Sequence, residues 1–569
     1  MKRFIPVCLS VMLAACASQP ALTEHTLSSG AARSADQLQL DFEKAELRLR
    51  IAPATRSIQG DARLSFGTRG PLERLELDLD RNLPIDAIEV DGQPLANSRW
   101  RNPEGRLTID LPRRLLAGER TTVRVRYHGQ PHVAKKAPWD GGFVWSTTPD
   151  GQPWIATAVQ GEGCDLFWPC IDHPTGKPQV VEEWFTVPAP LVAAGNGVLL
   201  GMTEDAGWRT WHWRAKHAST YGVSINVGPY KLLESDYRSR YGNTIPLRMW
   251  YLPHSEAKAK ELFTEFPQML DFFESVIGPY PFGDEKMGVV ETPHKGMEHQ
   301  TINAYGNGYV KTAYGYDDLL HHEFAHEWFG NQLTNADWDD MWLHEGLGSY
   351  MQPLYMRYLR GDLEYHAALL QQRGAIRNKV PVVRGKPMRE EDVYELERGG
   401  PGIDVYVKGS LAMHTLRLLV GDDAFFNSVR ELVYGTPDPR PGALRPRYGT
   451  TREFIALVER HSGRKLDWFF QAYLYQAALP ELQATRDGDT LQLAWKLESD
   501  APFPMPVEVR VGAQVVTVPM TDGRGAVTLP PGATYTLDPQ SKVLRRLAHI
   551  EQFQQYQEAQ KKRKEQTKG

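Results

Sequence analysis

Short runs of alternating apolar and polar residues fill the first part of the chain after its N-terminus. Runs such as AELRLRIAP, RLELDLD and TTVRVRYHG alternate residue by residue, and Gly, Pro or Asp-Gly turns separate them. A period of two is typical of a half-buried strand, and turn residues between such runs are typical of hairpins. The pattern therefore predicts an antiparallel β domain over residues 38–235.

The pattern then becomes helical. Between residues 256 and 277 apolar residues recur at threes and fours, and this run ends at a Gly-Pro-Tyr-Pro turn. Helical segments continue to about residue 475, which predicts a mainly helical domain over 236–476. Short strands such as MPVEVRVG return over residues 477–546 and predict a small, β-sandwich-like C-terminal β module. The expected fold class is therefore a multidomain α+β protein.

One predicted helix carries the sequence His322-Glu323-Phe324-Ala325-His326. Residues four apart lie on one face of a helix, so both imidazoles can point at a single ion. Zinc favours nitrogen ligands, and a catalytic zinc takes three protein ligands. A second helix is predicted from Met341, with Asp339 or Asp340 as its N-cap. Glu345 lies about one turn into it and is the best candidate for the third ligand.

Glu323 has a different predicted role. It lies about 100° around the helix from His322, beside the metal rather than on it. This is where a general base for a zinc-bound water belongs. A chain with 17 histidines can contain such a motif by chance, but a spaced glutamate on a second helix favours a real site. The sequence predicts one Zn²⁺ per chain and a zinc hydrolase.

Composition excludes some classes of protein. Hydrophobic residues make up 41% of the 569 residues, which is enough to bury several cores, and the formal net charge is −5. The chain shows no basic stripe that would indicate nucleic-acid binding. The exception is a Lys- and Gln-rich charged tail over residues 547–569. We predict that this tail is a solvated, frayed helix, and contact with an anionic membrane is the alternative.

Residues 1–16 predict an export signal. A short positive start precedes an apolar run too short to span a bilayer, and the run ends at Leu13-Ala14-Ala15-Cys16. This ending resembles the lipobox of bacterial lipoprotein signal peptides. The resemblance implies a lipid anchor at Cys16, in a bacterial membrane facing the periplasm or cell surface, and Ala17 favours the outer membrane. A plain cleaved signal peptide is the alternative, and residues 17–37 are predicted to be a tether.

Two further cysteines lie in a Gly- and Pro-broken loop of the β domain. Cys164 and Cys170 are six residues apart. In an oxidising compartment they could form a disulfide, and two free buried thiols are the alternative.

Several motifs together resemble the gluzincin aminopeptidase family, which includes aminopeptidase N and the leukotriene epoxide hydrolase. They are the zinc motif with its glutamate, the WFGN and WLHEG segments that follow, and the GPYPF, GMEH, FWPCIDHP and YVKGS segments. The resemblance covers residues 160–410 and implies a thermolysin-like catalytic domain. It implies zinc binding by His322, His326 and Glu345, catalysis by Glu323 and Tyr406, and substrate binding by Glu298, Gln160, Gly296 and Met297. Tyr406 would stabilise the oxyanion, and Glu298 would bind the substrate's free α-ammonium group.

These roles predict a zinc-dependent aminopeptidase that releases N-terminal amino acids from peptides with a free N-terminus. The alternatives are a zinc endopeptidase, an epoxide hydrolase, and an inactive peptide-binding surface lipoprotein. This chain departs from the family pattern at Lys295, directly before the GMEH segment, and at His299, the last residue of that segment. We expect either residue to compete for the charge of Glu298, and so to weaken its hold on the amine or to make it pH-dependent.

Overall fold

The computed structural model describes residues 21–442, 444–499 and 501–566. The predicted signal peptide and its lipidation site, Cys16, lie outside the described residues. Among the described residues, no helix is both long and apolar enough to cross a membrane.

The first domain consists of three β-sheets. Its strands are β1 (Leu40–Ala52), β2 (Ser57–Thr68), β3 (Leu72–Asp78), β4 (Ile85–Val90), β5 (Gln93–Pro94), β6 (Trp100–Arg101), β7 (Arg106–Leu115), β8 (Arg120–Gly129), β9 (Gly142–Thr147), β10 (Pro153–Ala158), β11 (Val180–Pro188), β12 (Val192–Ala194), β13 (Val198–Asp205), β14 (Trp208–Lys216) and β15 (Asn226–Gly228). The largest sheet has the order β13-β14-β11-β1-β2-β8-β4-β5, and the two smaller sheets have the orders β12-β15-β10-β9 and β3-β7-β6. Within the largest sheet, β1 and β11 pair in parallel, and the other neighbours are antiparallel.

Strand β1 shows why the alternating pattern was informative. Leu47, Leu49 and Ile51 are buried in the core of this domain. Arg48 and Arg50 lie between them in sequence and point outward, where their guanidinium groups stack on the Trp184 and Trp208 rings. One face is therefore packed and the other is solvated, as a period of two requires.

The second domain combines a mixed sheet with helices. Its strands are β16 (Lys231–Arg238), β17 (Thr244–Tyr251), β18 (Met287–Glu291), β19 (Asn303–Tyr305), β20 (Leu333–Asn335) and β21 (Arg447–Gly449). Its helices are α1 (Glu256–Phe263), α2 (Phe266–Val276), α3 (Asp318–His326), α4 (Trp342–Arg360), α5 (Asp362–Ala375), α6 (Glu390–Tyr394), α7 (Asp404–Val420), α8 (Asp422–Tyr434), α9 (Thr451–Ser462) and α10 (Asp467–Tyr473). The sheet has the order β16-β17-β18-β19, so it begins at residue 231, a few residues before the predicted boundary at 236.

The C-terminal module contains two three-stranded sheets around a small apolar core. Its strands are β22 (Glu481–Asp487), β23 (Thr490–Lys496), β24 (Val507–Val511), β25 (Gln514–Val518), β26 (Arg524–Thr528) and β27 (Tyr535–Leu537). The sheets have the orders β22-β23-β26 and β25-β24-β27. Helix α11 (Ala548–Gln566) follows, and Gln554 Nε2 donates to the Gly374 carbonyl at 2.7 Å. Together the three parts confirm the predicted multidomain α+β fold.

The predicted tether was wrong for its described part, residues 21–37. Thr26, Ser29 and Gln37 are buried, and the Ser29 amide donates to the Gly161 carbonyl at 2.8 Å. The Ser29 hydroxyl donates to Asp172 Oδ1 at 3.0 Å. An Ala- and Ser-rich composition suggested a free chain, but here Ser29 donates hydrogen bonds to two buried acceptors of the β domain.

The open question of the two cysteines is settled. Cys164 and Cys170 form a disulfide, with 6.3 Å between their Cα atoms. Both residues are buried in the core of the β domain.

Candidate metal centre

Three predicted ligands meet where α3 packs against α4. The Nε2 atoms of His322 and His326 are 3.1 Å apart. Glu345 Oε2 lies 3.5 Å from the first and 3.4 Å from the second. His326 and Glu345 are buried, and 19% of the His322 side chain remains exposed. The triangle of donor atoms is therefore open to solvent on the side of His322.

The spacing of these donor atoms fits zinc. Tetrahedral zinc with ligand bonds of about 2.0–2.1 Å places its ligands about 3.3 Å apart. The three observed separations lie close to that value. Glu345 Oε2 accepts no hydrogen bond from a described residue, although it is buried. A buried carboxylate oxygen without a donor requires a cation, so the donor set fits a zinc ion held by His322, His326 and Glu345.

The tautomer of His326 is also set for metal binding. Its Nδ1 lies 2.8 Å from the Phe329 carbonyl oxygen, which can only accept. The ring proton is therefore on Nδ1, and the lone pair of Nε2 points towards the other two ligands. An imidazole oriented by a backbone carbonyl is the usual arrangement of a zinc ligand.

Glu323 lies beside the triangle and not within it. One of its carboxylate oxygens, one of Glu298 and one His326 nitrogen lie within 4.8 Å of one another. Burial raises the pKa of Glu323 well above its ordinary value, His326 opposes this, and the carboxylates of Glu298 and Glu345 add to it. Gly296 faces this carboxylate, and a Cβ atom at that position would overlap Glu323 Oε1. Glycine is therefore required for the close approach.

Glu298 is held by neutral donors. Its Oε1 accepts from Gln160 Nε2 at 2.6 Å and from the Tyr221 hydroxyl at 2.9 Å. Both donors come from the β domain. Since neither donor carries a charge, the buried carboxylate keeps its capacity to pair with a substrate cation.

The expected competition from the neighbours of Glu298 was wrong. The Lys295 ammonium turns away and lies 5.6 Å from the centre of the Trp139 ring. His299 is fully buried, its ring nitrogens have no partner among the described residues, and burial lowers its pKa to about 3. A neutral His299 cannot compensate the charge on Glu298.

Residues that directly follow helix α3 hold the turn that carries Glu298 by hydrogen bonds. Glu327, directly after His326, accepts from the Thr301 amide at 2.8 Å and from Asn303 Nδ2 at 2.9 Å. Asn331 Nδ2 donates to the Glu298 carbonyl at 3.1 Å. The Met297 carbonyl accepts from the Ala304 amide at 2.9 Å, so the predicted substrate residue Met297 forms part of this turn.

Two tyrosines close the other side of the triangle. Tyr406 on α7 has its ring 6.2 Å from that of His322 and 6.3 Å from that of Tyr394. The Tyr394 hydroxyl donates to Glu345 Oε1 at 3.2 Å. Burial raises the pKa of Tyr406 well above its ordinary value, and the charge on Glu345 adds to this. Tyr406 therefore keeps its proton and remains a hydrogen-bond donor.

Sequence reasoning missed two residues of this cleft. Tyr394 donates to Glu345, and Tyr221 donates to Glu298. Neither has a motif of its own, and both reach the site only through the fold.

Comparison with known proteins agrees with this geometry. Residues 267–436 match the profile of the peptidase family M1 domain. Aminopeptidase N of Streptomyces lividans is 27% identical over 307 residues, which are 50% of this chain and 34% of that protein. Aminopeptidase B of Rattus norvegicus is 24% identical over 411 residues, 66% of this chain and 59% of that protein. The chain thus spans about one third to three fifths of the length of these relatives.

A solved structure shows the same architecture over most of its length. It is a mutant of an M1 zinc metallopeptidase from Deinococcus radiodurans bound to the substrate Tyr-Ser-Ala. It is 25% identical, and the alignment covers 79% of this chain and 98% of that chain with a TM-score of 0.65. Two helices presenting two histidines and a glutamate to one zinc ion define the gluzincin class of metallopeptidases. This chain shows that arrangement, its residues 267–436 match the domain of the M1 family, and the relatives named above are similar to this chain in sequence.

Proposed function

We propose that the protein is a zinc-dependent aminopeptidase that releases single amino acids from the free N-terminus of peptides. The observation that carries this proposal is the place of Glu298. Its buried carboxylate is bonded to Gln160 and Tyr221, with no cationic hydrogen-bond partner among the described residues, and lies within the same 4.8 Å cluster as Glu323 and His326. The M1 structure from Deinococcus radiodurans with a bound tripeptide supports the same substrate class.

The chemistry of the cleft follows from its residues. When bound, zinc supplies a Lewis-acid centre at which water loses its proton near neutral pH. Glu323 is placed to accept that proton and to pass it to the leaving amine. The Tyr406 hydroxyl is placed to donate a hydrogen bond to the negative charge that develops on the carbonyl oxygen of the substrate.

Recognition of the chain end rests on Glu298. A charged hydrogen bond to a substrate ammonium is worth about 1.5–3 kcal/mol in a site of this kind. An N-acetylated peptide offers no cation and leaves the carboxylate buried and unpaired. The site should therefore reject blocked peptides, whereas an endopeptidase would accept them.

Removal of the charge at Glu298 tests this recognition. For Glu298→Gln we expect kcat/KM on amino-acid anilides with a free amine to fall by about 10- to 100-fold, the equivalent of the lost charged bond. Glu256→Gln, an exposed glutamate on α1, is the matched control and should keep wild-type rates. If Glu298→Gln is as active as the control, the residue is not the amine anchor.

Metal dependence is tested separately. A chelator should abolish turnover of the free-amine anilide, and zinc should restore it. The wild-type enzyme should not turn over the N-acetylated anilide in either state. Turnover of the blocked anilide at a similar rate would favour the endopeptidase, and no turnover of any substrate by the zinc-loaded chain would favour a binding protein.

We further infer that the protein is exported and lipid-anchored through Cys16. The support is the lipobox-like ending of residues 1–16. Because Leu22 packs on the core of the β domain, such an anchor would hold that domain next to the membrane. Cys16→Ser should abolish incorporation of labelled fatty acid and release the protein from the membrane fraction. An unchanged membrane fraction would rule out the anchor.

A further inference from the structure

A lysine lies on the same turn as Glu298 and takes no part in holding the substrate amine. Lys295 precedes Gly296 directly, and its side chain is exposed. Its ammonium group lies 5.6 Å from the centre of the Trp139 ring, and no carboxylate of the described residues lies within ion-pair distance of it. A cation without a counter-charge in the described part of the chain is therefore placed next to the catalytic residues.

The order of residues along this turn places Lys295 on the leaving side of the substrate. In the proposed aminopeptidase, Glu298 marks the substrate amine and Glu323 marks the bond that is cleaved. Gly296 lies against the general base, because a Cβ atom at that position would overlap Glu323 Oε1. Lys295 is one residue further from Glu298 along the turn. It therefore lies beyond the general base, where the leaving peptide begins.

A loop of the β domain reaches the same place. This loop, residues 135–141, joins β8 to β9. Its Gly141 amide donates to the Glu162 carboxylate, and a Cβ atom at Gly141 would lie 3.3 Å from the Ala158 carbonyl oxygen. Ala158 and Glu162 are each two residues from Gln160 in the sequence. The loop therefore packs against the wall of the cleft that the β domain provides.

Two ammonium groups of this region share one aromatic ring. Trp139, near the end of the loop, is 63% exposed. Lys136 Nζ lies 5.3 Å and Lys295 Nζ 5.6 Å from the centre of its ring. The acid of the loop does not neutralise them, because the Asp140 carboxylate accepts from the backbone amides of Lys135 and Lys136. The ring attracts both cations, and the two cations repel each other.

We propose that Lys295, Lys136 and Trp139 form a subsite for a carboxylate on the residue that follows the cleaved bond. This inference rests on the proposed aminopeptidase activity. Each ammonium group can donate a charged hydrogen bond to a carboxylate, and an anion between the two cations relieves their repulsion. The carboxylate belongs either to an acidic side chain at that position or to the chain end of a dipeptide. Both sources offer the same chemistry to the subsite.

The expected preference is modest because both lysines are exposed. Exposed ion pairs contribute little, and salt screens them. We expect kcat/KM for a substrate with this carboxylate to exceed that of the matched neutral substrate by about 3- to 10-fold at low salt. The ratio should fall towards one in about 1 M salt, where the Debye length is about 3 Å.

Four short substrates test the subsite on the zinc-loaded full chain. They share the N-terminal residue whose anilide the enzyme cleaves fastest, followed by alanine amide, glutamate amide, free alanine or arginine amide. Only the second and third carry a carboxylate, on the side chain and at the chain end, so the faster of the two identifies its source. Equal kcat/KM for all four would overturn the subsite and leave the aminopeptidase standing. An enzyme that cleaves no anilide and none of the four would overturn both.

Charge reversal assigns the preference to Lys295. Lys295→Glu should reverse the ratio, so that the arginine amide becomes a better substrate than the glutamate amide. Lys258→Met, which removes an exposed lysine on α1, is the control and should keep the wild-type ratio. Each ratio compares two substrates on one preparation, so a partly inactive variant still gives a valid value. An unchanged ratio in Lys295→Glu would overturn the proposal.

The ring should act by positioning the lysines. Trp139→Ala should reduce the preference for the carboxylate substrates, because the two ammonium groups lose the surface that gathers them. Trp139→Phe keeps an aromatic face and should restore part of the preference. A wild-type ratio in Trp139→Ala would remove Trp139 from the subsite.

Discussion

In this cleft the zinc ligands and Glu323 are different residues with different chemical roles. His322, His326 and Glu345 present donors to one point, and Glu323 on the same helix as the histidines stays outside that triangle. Metal binding and proton transfer are therefore assigned to different side chains. Each can be removed without removing the other.

Replacement of Glu323 tests this separation. In Glu323→Gln the amide keeps the shape of the side chain but cannot accept a proton, so kcat should fall by about 10²–10⁴. Zinc content should stay at one per chain, because no metal ligand has changed. Metal analysis and kcat on the same preparation check both parts, and near-wild-type turnover or loss of zinc would refute the assignment.

The zinc ligands were predictable from sequence, whereas the support of Glu298 was not. His322 and His326 are four residues apart, so local helix geometry brings their rings together. Glu298 is 138 residues from Gln160 and 77 residues from Tyr221 in the sequence. The three side chains meet only because the β domain and the catalytic domain pack against each other. A motif records which residue types are present, but not which distant neutral donors will face them.

Among the elements, the zinc helix α3 depends on one capping residue. The Asp317 carboxylate accepts from the Leu320 amide at 3.0 Å and so caps the helix that carries both histidines. It also accepts from the Tyr305 hydroxyl at 2.5 Å. The cap therefore joins the start of the helix to strand β19.

Removal of this cap should destabilise the protein. Loss of an N-cap costs about 0.5–2 kcal/mol, and the unpaired Tyr305 hydroxyl adds to that cost. Asp317→Ala should therefore lower the denaturant midpoint of the zinc-loaded protein more than Asp318→Ala, the exposed neighbour in the same first turn. Equal midpoints for the two variants would show that the cap contributes nothing.

Helix α4 shows how the fold accommodates a proline inside a helix. The sequence predicts a helix from Met341, and this helix runs from Trp342 to Arg360 through Pro353. A proline frees the carbonyl four residues earlier, and here Gln372 Nε2 donates to that Ser349 carbonyl at 2.9 Å. The predicted N-cap residues, Asp339 and Asp340, were wrong, since Met341 occupies the N-cap position of α4 and no side chain caps the helix there.

At the scale of the whole molecule, a buried lysine joins the β domain to the catalytic domain. Lys177 is 9% exposed, and its Nζ donates to the backbone carbonyl of Asn331 at 2.9 Å. The side chain of Asn331 in turn donates to the Glu298 carbonyl. Burial without a counter-charge lowers the pKa of Lys177 from 10.5 to about 7. The domain contact therefore favours the neutral amine.

This burial predicts a pH dependence with a defined sign. Between pH 7 and 10.5 the unfolded lysine keeps its proton while the folded one has lost it. The unfolded state then binds more protons, so the contribution of Lys177 to stability rises with pH across this range. The stability difference between wild type and Lys177→Met should therefore shift in favour of wild type as pH rises from about 7 to 9.

Urea unfolding at both pH values measures this difference. Lys258→Met, an exposed lysine on α1, is the control, and its difference from wild type should not change with pH. A difference for Lys177→Met that is constant or falls with pH would mean that the folded lysine stays charged.

Domain order was readable from the change of hydrophobic period along the chain, because period depends on local geometry. The path of residues 21–37 was not, because their polar composition is also that of a free linker. Only the fold shows that the buried acceptors Asp172 and Gly161 lie where Ser29 can reach them. The same limit applies to the packing that brings the β domain into the substrate cleft.

The central claim is that a metal centre and a buried anchor together select the free end of a peptide. Mass spectrometry of one peptide, offered with a free and with an acetylated N-terminus, tests this most directly. Residues should be lost one at a time from the N-terminus of the free peptide, while the acetylated peptide stays intact. Cleavage at internal bonds, or equal consumption of both peptides, would contradict the account.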